Sequence, residues 1–329
     1  MRVLVAGGAG YVGSHVVRRL IAAGHAPVVV DNLSSGHRQA VGAVPLEVAD
    51  FTDRATLSRL GDEGRFDAVI HLAAHALVGE SVARPERYYR NNLIRSLELL
   101  EWIRQTGWGG MVFSSSAAVY GEPQDIPIRE DHPTQPTNPY GDTKLAFERA
   151  LEAYRIAHEI PYVSLRYFNA AGADPTGDIG EDHGSSESHL IPRILQVAGR
   201  DLPAVKMFGT DYPTSDGTAL RDYVHVCDLA DAHVRALAQL ARGESGIYNL
   251  GNGEGFTVKE VIRVCSKVVG TPIEAVAAPR RMGDPAVLVA SSTAARERLG
   301  WRPRFPEIDA IMATAWNWHR THPDGFPRG

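Results

Sequence analysis

The sequence predicts an α/β fold, a doubly wound parallel sheet followed by a smaller C-terminal α/β domain. In the first half, short apolar runs of strand length alternate with longer segments of helical periodicity. A run of spaced glycines lies between the first apolar run and the first helical segment. Beyond Phe168 the texture changes, because residues 169–188 are rich in Gly, Asp and Ser. We therefore expect one domain at residues 1–168 and a second, mainly, at 169–329, with some later segments returning to the first sheet.

The strand candidates of the first domain are continuous apolar runs, which suits parallel strands covered on both faces. They lie at residues 2–6, 26–30, 45–48, 67–72 and 111–115. Helical spacing occupies the intervening residues 12–23, 54–60, 85–105 and 139–158. Strands that alternate with helices in this order imply right-handed crossovers and a doubly wound sheet.

The bulk composition is that of an ordinary globular protein. Of the 329 residues, 44% are hydrophobic and 22% charged, and the net charge of −5 argues against a nucleic-acid footprint. No apolar run approaches the ~18 residues of a membrane span, and the N-terminus begins as a strand rather than as a signal peptide. Cys227 and Cys265 sit in apolar segments and are interpreted as buried hydrophobes. We expect a cytoplasmic protein that binds neither membrane nor nucleic acid.

Gly7, Gly10 and Gly13 form the glycine run between the first strand and the first helix. Glycine suits this place because the chain turns tightly and a pyrophosphate must approach bare backbone at a helix N-terminus. Three glycines alone are a weak signal, but their position after a strand and before a helix is the context that strengthens it. The run predicts a dinucleotide site.

Asp31 ends the second strand, where a carboxylate accepts hydrogen bonds from the adenosine ribose. Its charge would repel a 2′-phosphate, so NAD is favoured over NADP, although Arg38 lies seven residues further on. The alternative for Asp31 is a residue that caps a turn. Asp50, after the third strand, would either reach the adenine amino group or cap a helix.

Tyr140 and Lys144 stand four residues apart on a predicted helix that begins at Asn138–Pro139. This spacing places both side chains on one face. A phenol has a pKa of about 10, and a neighbouring ammonium favours its ionised form. The pair therefore predicts a general base, and it lies one strand beyond Ser114, Ser115 and Ser116, after a dinucleotide site in the proper order.

These motifs together resemble the extended short-chain dehydrogenase/reductase family, and within it the UDP-glucose 4-epimerases. The resemblance covers about residues 1–320. Besides the glycine run, Ser116 and the Tyr140/Lys144 pair, it rests on the motifs at residues 120–121, 166–169, 217–218, 221–226, 249–251 and 279–284.

The resemblance implies bound NAD and inversion of C4 of a UDP-hexose through a transient 4-keto sugar. Tyr140 would take the proton from the 4-hydroxyl, Ser116 would hold that oxygen, and Lys144 would hold the ribose and lower the pKa of Tyr140. The expected cofactor contacts are Gly7, Gly10, Tyr11, Val12, Gly13, Asp31, Asn32, Asp50, Phe51, Leu72, Ala73, Ala74, Asn92, Ser114, Tyr140, Lys144 and Tyr167. The expected substrate contacts are Ser116, Tyr140, Asn169, His189, Leu190, Arg221, Tyr223, Arg281, Asp284 and Leu288.

Three rival functions were weighed. A 4,6-dehydratase needs an acid/base pair after the active-site hydroxyl, and Ala117 and Ala118 stand there instead. A 4-epimerase of another UDP-sugar, glucuronate or pentose, remains an alternative, as does a dinucleotide sensor without catalysis. No metal site is expected, because His71 and His75 lack the intervening glutamate of zinc proteases and the other histidines show no ligand spacing.

The sequence departs from better-known family members at two places. Ala76 replaces a lysine near the nicotinamide ribose, and Ser188–His189 replace a pair of asparagines. His189 would then contact the diphosphate and add a pH-dependent term to binding.

Leu288 falls at the position that gates the sugar pocket in the family, which predicts slower turnover of UDP-N-acetylglucosamine. The helices at 85–105 and 144–158 carry surplus apolar residues, among them Leu93, Leu97, Leu99 and Leu100. By resemblance these helices predict a homodimer. A monomer is the alternative.

Overall fold

The computed structural model describes residues 1–184, 187–281 and 283–327. Met282, which belongs to the motif at 279–284, lies outside the described residues, as do Ser185 and Ser186 in the loop at 169–188. Within the described ranges, no helix is long and apolar enough to cross a membrane.

A seven-stranded parallel sheet is the centre of the fold, which confirms the predicted fold class. Its order is β11-β6-β5-β4-β1-β2-β3, and all its pairs are parallel. The strands are β1 (Arg2–Ala6), β2 (Ala26–Asp31), β3 (Leu46–Val48), β4 (Ala68–His71), β5 (Met111–Ser116), β6 (Tyr162–Tyr167) and β11 (Gly246–Leu250). Strand β11 follows residue 168 in the chain and yet completes this sheet.

The helices pack on both faces of the sheet and around a separate C-terminal core. They are α1 (Tyr11–Ala22), α2 (Arg38–Val41), α3 (Arg54–Asp62), α4 (Val78–Ala83), α5 (Pro85–Tyr88), α6 (Arg95–Thr106), α7 (Pro139–His158), α8 (Leu190–Ala198), α9 (Val226–Leu240), α10 (Val258–Val269), α11 (Thr293–Arg298) and α12 (Ile308–Thr321). Residues of α1 and α9 bury one face of the sheet, and residues of α3, α6 and α7 bury the other. Helices α8, α10 and α12 share the third core.

Short strands in the second half form small sheets beside the main one. They are β7 (Asn169–Ala171), β8 (Val205–Phe208), β9 (Leu220–Arg221), β10 (Tyr223–His225), β12 (Phe256–Thr257), β13 (Ala275–Ala278) and β14 (Val287–Leu288). Strand β9 pairs with both β12 and β14. This pairing brings Leu288 opposite Arg221.

The segment predicted to be helical at 85–105 is helical throughout, although a π-helical segment at Tyr89–Ile94 separates α5 from α6. Within that segment Asn92 is 2% exposed. Its side-chain amide donates to the backbone oxygen of His75 at 2.9 Å and accepts from the backbone nitrogen of the same residue at 2.9 Å. This inward side chain accompanies the wider π turn, a feature common near functional sites.

Candidate active site

A cavity of about 1310 Å³ opens at the carboxyl edge of the main sheet. Its lining includes the residues at the ends of three strands of this sheet, Asp31 of β2, Ser116 of β5 and Tyr167 of β6. The opposite wall comes from the second half of the chain, including Arg221 and Leu288. Ligands of doubly wound sheets bind at this edge.

The glycine turn is shaped for close approach of a ligand to the backbone. Gly7 has φ +84°, and a Cβ atom on Gly13 would stand 2.1 Å from the carbonyl oxygen of Gly7, so neither position accepts a side chain. Gly10 caps α1 without a side-chain hydrogen bond. The N–H groups of the first helical turn are therefore not satisfied by a capping side chain, and this geometry fits a pyrophosphate. Tyr11 and Val12 line the same cavity.

Asp31 does two things at the end of β2. Its carboxylate accepts hydrogen bonds from the backbone nitrogens of Ala9, at 2.9 Å, and Leu33, at 2.8 Å. Burial raises the pKa of Asp31, and these two bonds oppose that shift. The side chain also lines the cavity beside Asn32, whereas Arg38 lies in α2, outside the lining. A carboxylate with two oxygens can accept further bonds from a ribose.

Asp50 lies outside the cavity lining, while its neighbour Phe51 lies within it. The carboxylate of Asp50 accepts from Thr52 and pairs with Arg95. The alternative interpretation of Asp50 as a helix cap is wrong, because Asp53 caps α3 by accepting from the backbone nitrogen of Thr56. Asn92 also lies outside the lining, since its amide is bound to His75.

Tyr140 and Lys144 lie one turn apart on α7, as their spacing predicts. Asn138 caps this helix by accepting from the nitrogen of Gly141 at 2.9 Å, and Pro139 occupies its first turn. Ser116 lines the same cavity as Tyr140, and its hydroxyl accepts a hydrogen bond from the backbone nitrogen of Ala118 at 3.1 Å. The ammonium of Lys144 lies 5.8 Å from the centre of the Tyr140 ring.

Burial is the largest influence on the pKa values of both Tyr140 and Lys144. Burial raises the pKa of Tyr140 above its usual value, and the nearby hydroxyl of Ser116 acts against that shift. Burial also lowers the pKa of Lys144 to about 7, against the attraction of Glu148. Loss of solvation is therefore the largest influence on the Tyr140 hydroxyl, and the lowering of its pKa by Lys144 together with the nicotinamide stays a prediction.

The far wall of the cavity carries the cations expected to hold a diphosphate. The guanidinium of Arg221 donates to the carboxylate of Asp284 at 2.5 Å and to the backbone oxygen of Pro285 at 2.7 Å. The guanidinium of Arg281 stacks 4.1 Å from the ring centre of Phe208. The other expected substrate contacts on this wall that line the cavity are Asn169, His189, Leu190, Tyr223 and Leu288.

His189 is held by a carboxylate that the sequence interpretation did not single out. Its Nδ1 atom lies 2.5 Å from an oxygen of Glu181, and Glu187 lies 3.9 Å from the same nitrogen. Burial acts to lower the pKa of His189, but the Glu181 carboxylate outweighs it and raises the pKa to about 9. The Nε2 atom remains free of these contacts.

The chain is similar to known proteins over almost its whole length. Residues 3–251 match the model of the NAD dependent epimerase/dehydratase family. The chain belongs to this family. A UDP-glucose 4-epimerase of Halalkalibacterium halodurans is 52% identical, over 99% of this chain and 98% of the relative.

Solved members of the family share the whole fold with this chain. The UDP-glucose 4-epimerase of Bifidobacterium longum, in complex with NAD+ and UDP, superposes with a TM-score of 0.94 at 40% identity, over 99% of this chain and all of the other. The Brucella ovis enzyme in complex with NAD gives 0.92 at 44% identity, covering 96% and 97%. The resemblance predicted from the sequence motifs is confirmed.

Several residues in and behind the cavity were not predicted from the sequence. Glu181 and His183 line the cavity, and a buried ion pair between Glu148 and Arg166 lies behind Ser115. Arg166 belongs to the motif at 166–169 on which the resemblance rests, but its partner Glu148 was not singled out. The polar loop at 169–188 was expected to be functional, but nothing in its spacing identified Glu181.

Proposed function

We propose that this chain interconverts UDP-glucose and UDP-galactose by inverting C4 of the sugar, with NAD as its bound cofactor. The observation that carries the proposal is the Tyr140/Lys144 pair, one turn apart on α7, in a cavity that also includes Ser116 and runs from the glycine turn to Arg221. Relatives named UDP-glucose 4-epimerase, similar over almost the whole chain, support it.

Tyr140 takes the proton from the 4-hydroxyl of the sugar, and Ser116 donates to or accepts from the same oxygen. When bound, NAD supplies the hydride acceptor that makes a 4-keto sugar and returns the hydride to its other face. Burial raises the pKa of Tyr140, so nearby positive charge must favour its ionised form during the reaction. Lys144 lies close enough to contribute and holds the ribose.

The nucleotide part of the substrate has to stay fixed while the sugar turns over. Arg221 is suited to this because backbone oxygens of Leu220 and Pro285 hold its guanidinium independently of Asp284. We assign the diphosphate to Arg221, Arg281 and the Nε2 atom of His189. The remaining substrate contacts are Asn169, Leu190, Tyr223, Asp284 and Leu288. With Leu288 at the sugar pocket, the enzyme also turns over UDP-N-acetylglucosamine, more slowly than UDP-glucose.

The cofactor lies along the first half of the cavity. Its pyrophosphate faces Gly7, Gly10 and Gly13, and its adenosine ribose faces Asp31. Its other contacts are Tyr11, Val12, Asn32, Phe51, Leu72, Ala73, Ala74, Ser114 and Tyr167, all of which line the cavity. Asp50 and Asn92 do not line the cavity, but they hold two residues that do: Asp50 pairs with Arg95, and the amide of Asn92 bonds to the backbone of His75.

We propose a cytoplasmic homodimer that pairs through α6 and α7. Ile94, just before α6, and Ile156 on α7 are 52% and 68% exposed, and an apolar face of this kind favours association. Leu99 and Leu100 do not belong to that face, because both are fully buried against the sheet. Their inclusion in the surplus of apolar residues was wrong.

The purified chain tests the proposed function without added cofactor. Denaturation should release NAD. The native protein should convert UDP-galactose to UDP-glucose until the two UDP-sugars reach equilibrium. A protein that carries NAD but leaves both UDP-sugars unchanged would contradict the proposal and favour the dinucleotide sensor.

A further inference from the structure

Three side chains from one loop, those of Glu181, His183 and His189, meet at the cavity wall, and only His189 among them is assigned a substrate contact above. A single carboxylate oxygen of Glu181 contacts Nε2 of His183 at 3.1 Å and Nδ1 of His189 at 2.5 Å. All three ligand atoms lie within 4.8 Å of one another. Among the residues described, no other set of three or more His, Cys, Asp or Glu side chains has this arrangement.

The chemistry of the three groups is that of a transition-metal site. Imidazole nitrogen and carboxylate oxygen bind Zn²⁺ at about 2.0–2.2 Å, which places tetrahedral ligand atoms roughly 3.4 Å apart. Shifts of a few tenths of an ångström up to about an ångström would bring the observed atoms to that spacing. We propose that Glu181, His183 and His189 bind a divalent metal ion of the zinc type.

Charge favours a cation at this place. Glu181 and Glu187 are 7% and 5% exposed in their side chains, and Glu187 lies 3.9 Å from the ligand nitrogen of His189. Two buried carboxylates this close need positive charge between or beside them. A divalent ion that binds with release of the Nδ1 proton of His189 to solvent balances both carboxylates, and Glu187 is placed to supply a fourth ligand.

The backbone around the three ligands is anchored. Asp182 accepts from the backbone nitrogens of Gly184 and Phe326, each at 2.9 Å. The indole of Trp318 donates to the carbonyl oxygen of Glu181 at 3.3 Å. Outer contacts of this kind orient metal ligands and raise metal affinity.

The metal and the substrate do not compete for the same atom of His189. The proposed metal ligand is Nδ1, and the diphosphate contact assigned above uses Nε2. A metal ion at Nδ1 would fix the imidazole with its Nε2–H directed away from Glu181. The site therefore stands apart from the proposed function and is tested without any UDP-sugar.

The test uses the full-length protein, stripped with a chelator and titrated with Zn²⁺ by calorimetry and with Co²⁺ by visible absorption. We expect about one ion per chain and the intense d–d bands of low-coordinate Co²⁺. His183→Gln should weaken binding by more than the roughly 10–100-fold that the loss of an outer contact costs. His158→Gln, at an exposed histidine on α7, should bind as the wild type does.

Two outcomes would overturn the proposal. One is a wild-type chain that binds no stoichiometric Zn²⁺ or Co²⁺, in which case the three side chains form an ion-paired cluster only. The other is equal binding by the wild type, His183→Gln and His158→Gln. Because the wild-type titration alone decides the first outcome, a poorly folded variant does not remove the test.

Discussion

The ammonium of Lys144 donates a hydrogen bond of 2.6 Å to the backbone carbonyl oxygen of Ser114. Lys144 is 2% exposed and lies 4.8 Å from the ring centre of Phe113. The nearby carboxylate of Glu148 is bound instead by Arg166, at 2.6 Å. Lys144 is thus a buried amine held by a carbonyl rather than by an ion pair, and burial lowers its pKa to about 7.

This burial predicts a pH-dependent stability for the protein stripped of its cofactor. Between pH 7 and 10 the unfolded lysine, with a pKa of about 10.4, binds a proton that the folded amine has lost. The free energy of unfolding of the wild type should therefore rise with pH across this window relative to Lys144→Met. Urea denaturation of both proteins at several pH values measures the difference, and parallel pH profiles would refute the prediction.

Asp31→Asn should weaken NAD binding and relax the rejection of NADP. The amide keeps one acceptor for the backbone N–H groups of Ala9 and Leu33 but removes the charge that repels a 2′-phosphate. Loss of a charged hydrogen bond costs about 1.5–3 kcal/mol, or roughly 10–100-fold in affinity. Titration of the stripped protein with both dinucleotides measures this.

The matched control for that experiment is Asp53→Asn. Asp53 caps α3 and lies outside the cavity lining, so its variant should keep the wild-type preference. If Asp31→Asn kept that preference too, Asp31 would serve only to hold the turn.

Leu288→Tyr should abolish turnover of UDP-N-acetylglucosamine and spare that of UDP-glucose. Leu288 lines the cavity on β14, directly opposite Arg221. A larger side chain there removes the room that the acetamido group needs in both orientations of the sugar. Leu288→Met, which conserves volume, is the control. Equal losses on both sugars, or a wild type inactive on the acetamido sugar, would contradict this explanation.

The strand positions were predicted well where a strand is apolar throughout. They were predicted poorly where a strand contains buried polar residues that are paired with residues of other elements. The bounds of β1 and α7 match the prediction. Strand β6 was absent from the predicted strands, because its buried Ser164 and Arg166 interrupt the apolar run. The partner that makes Arg166 tolerable there, Glu148, lies on another element and leaves no local signal.

The site shows the same limit. Gly7, Gly13 and the Tyr140/Lys144 pair were predictable, because their roles follow from local spacing along one turn or one helix. The meeting of Glu181 with His183 and His189 was not predictable, since spacings of two and eight residues in an irregular loop define no geometry. Likewise, the raised pKa of Tyr140 depends on burial by distant segments.

Tyr140→Phe should lower turnover by roughly 10²–10⁴, the usual contribution of a general acid–base group. Binding of UDP-sugar should change little, because the nucleotide and the diphosphate are held elsewhere. Tyr89→Phe is a matched control, since that hydroxyl bonds to Asp142 at 2.6 Å outside the cavity lining. Comparable turnover in both variants would exclude Tyr140 as the base.

In the proposed reaction, one bound cofactor first oxidises C4 of the sugar and then reduces it again. UDP-galactose labelled with deuterium at C4 tests it, with mass spectrometry of the UDP-glucose formed. We expect the deuterium to stay on C4 of the product and none to be gained from deuterated water, since the hydride never reaches solvent. Loss of the label to water, or entry of solvent deuterium at C4, would contradict it.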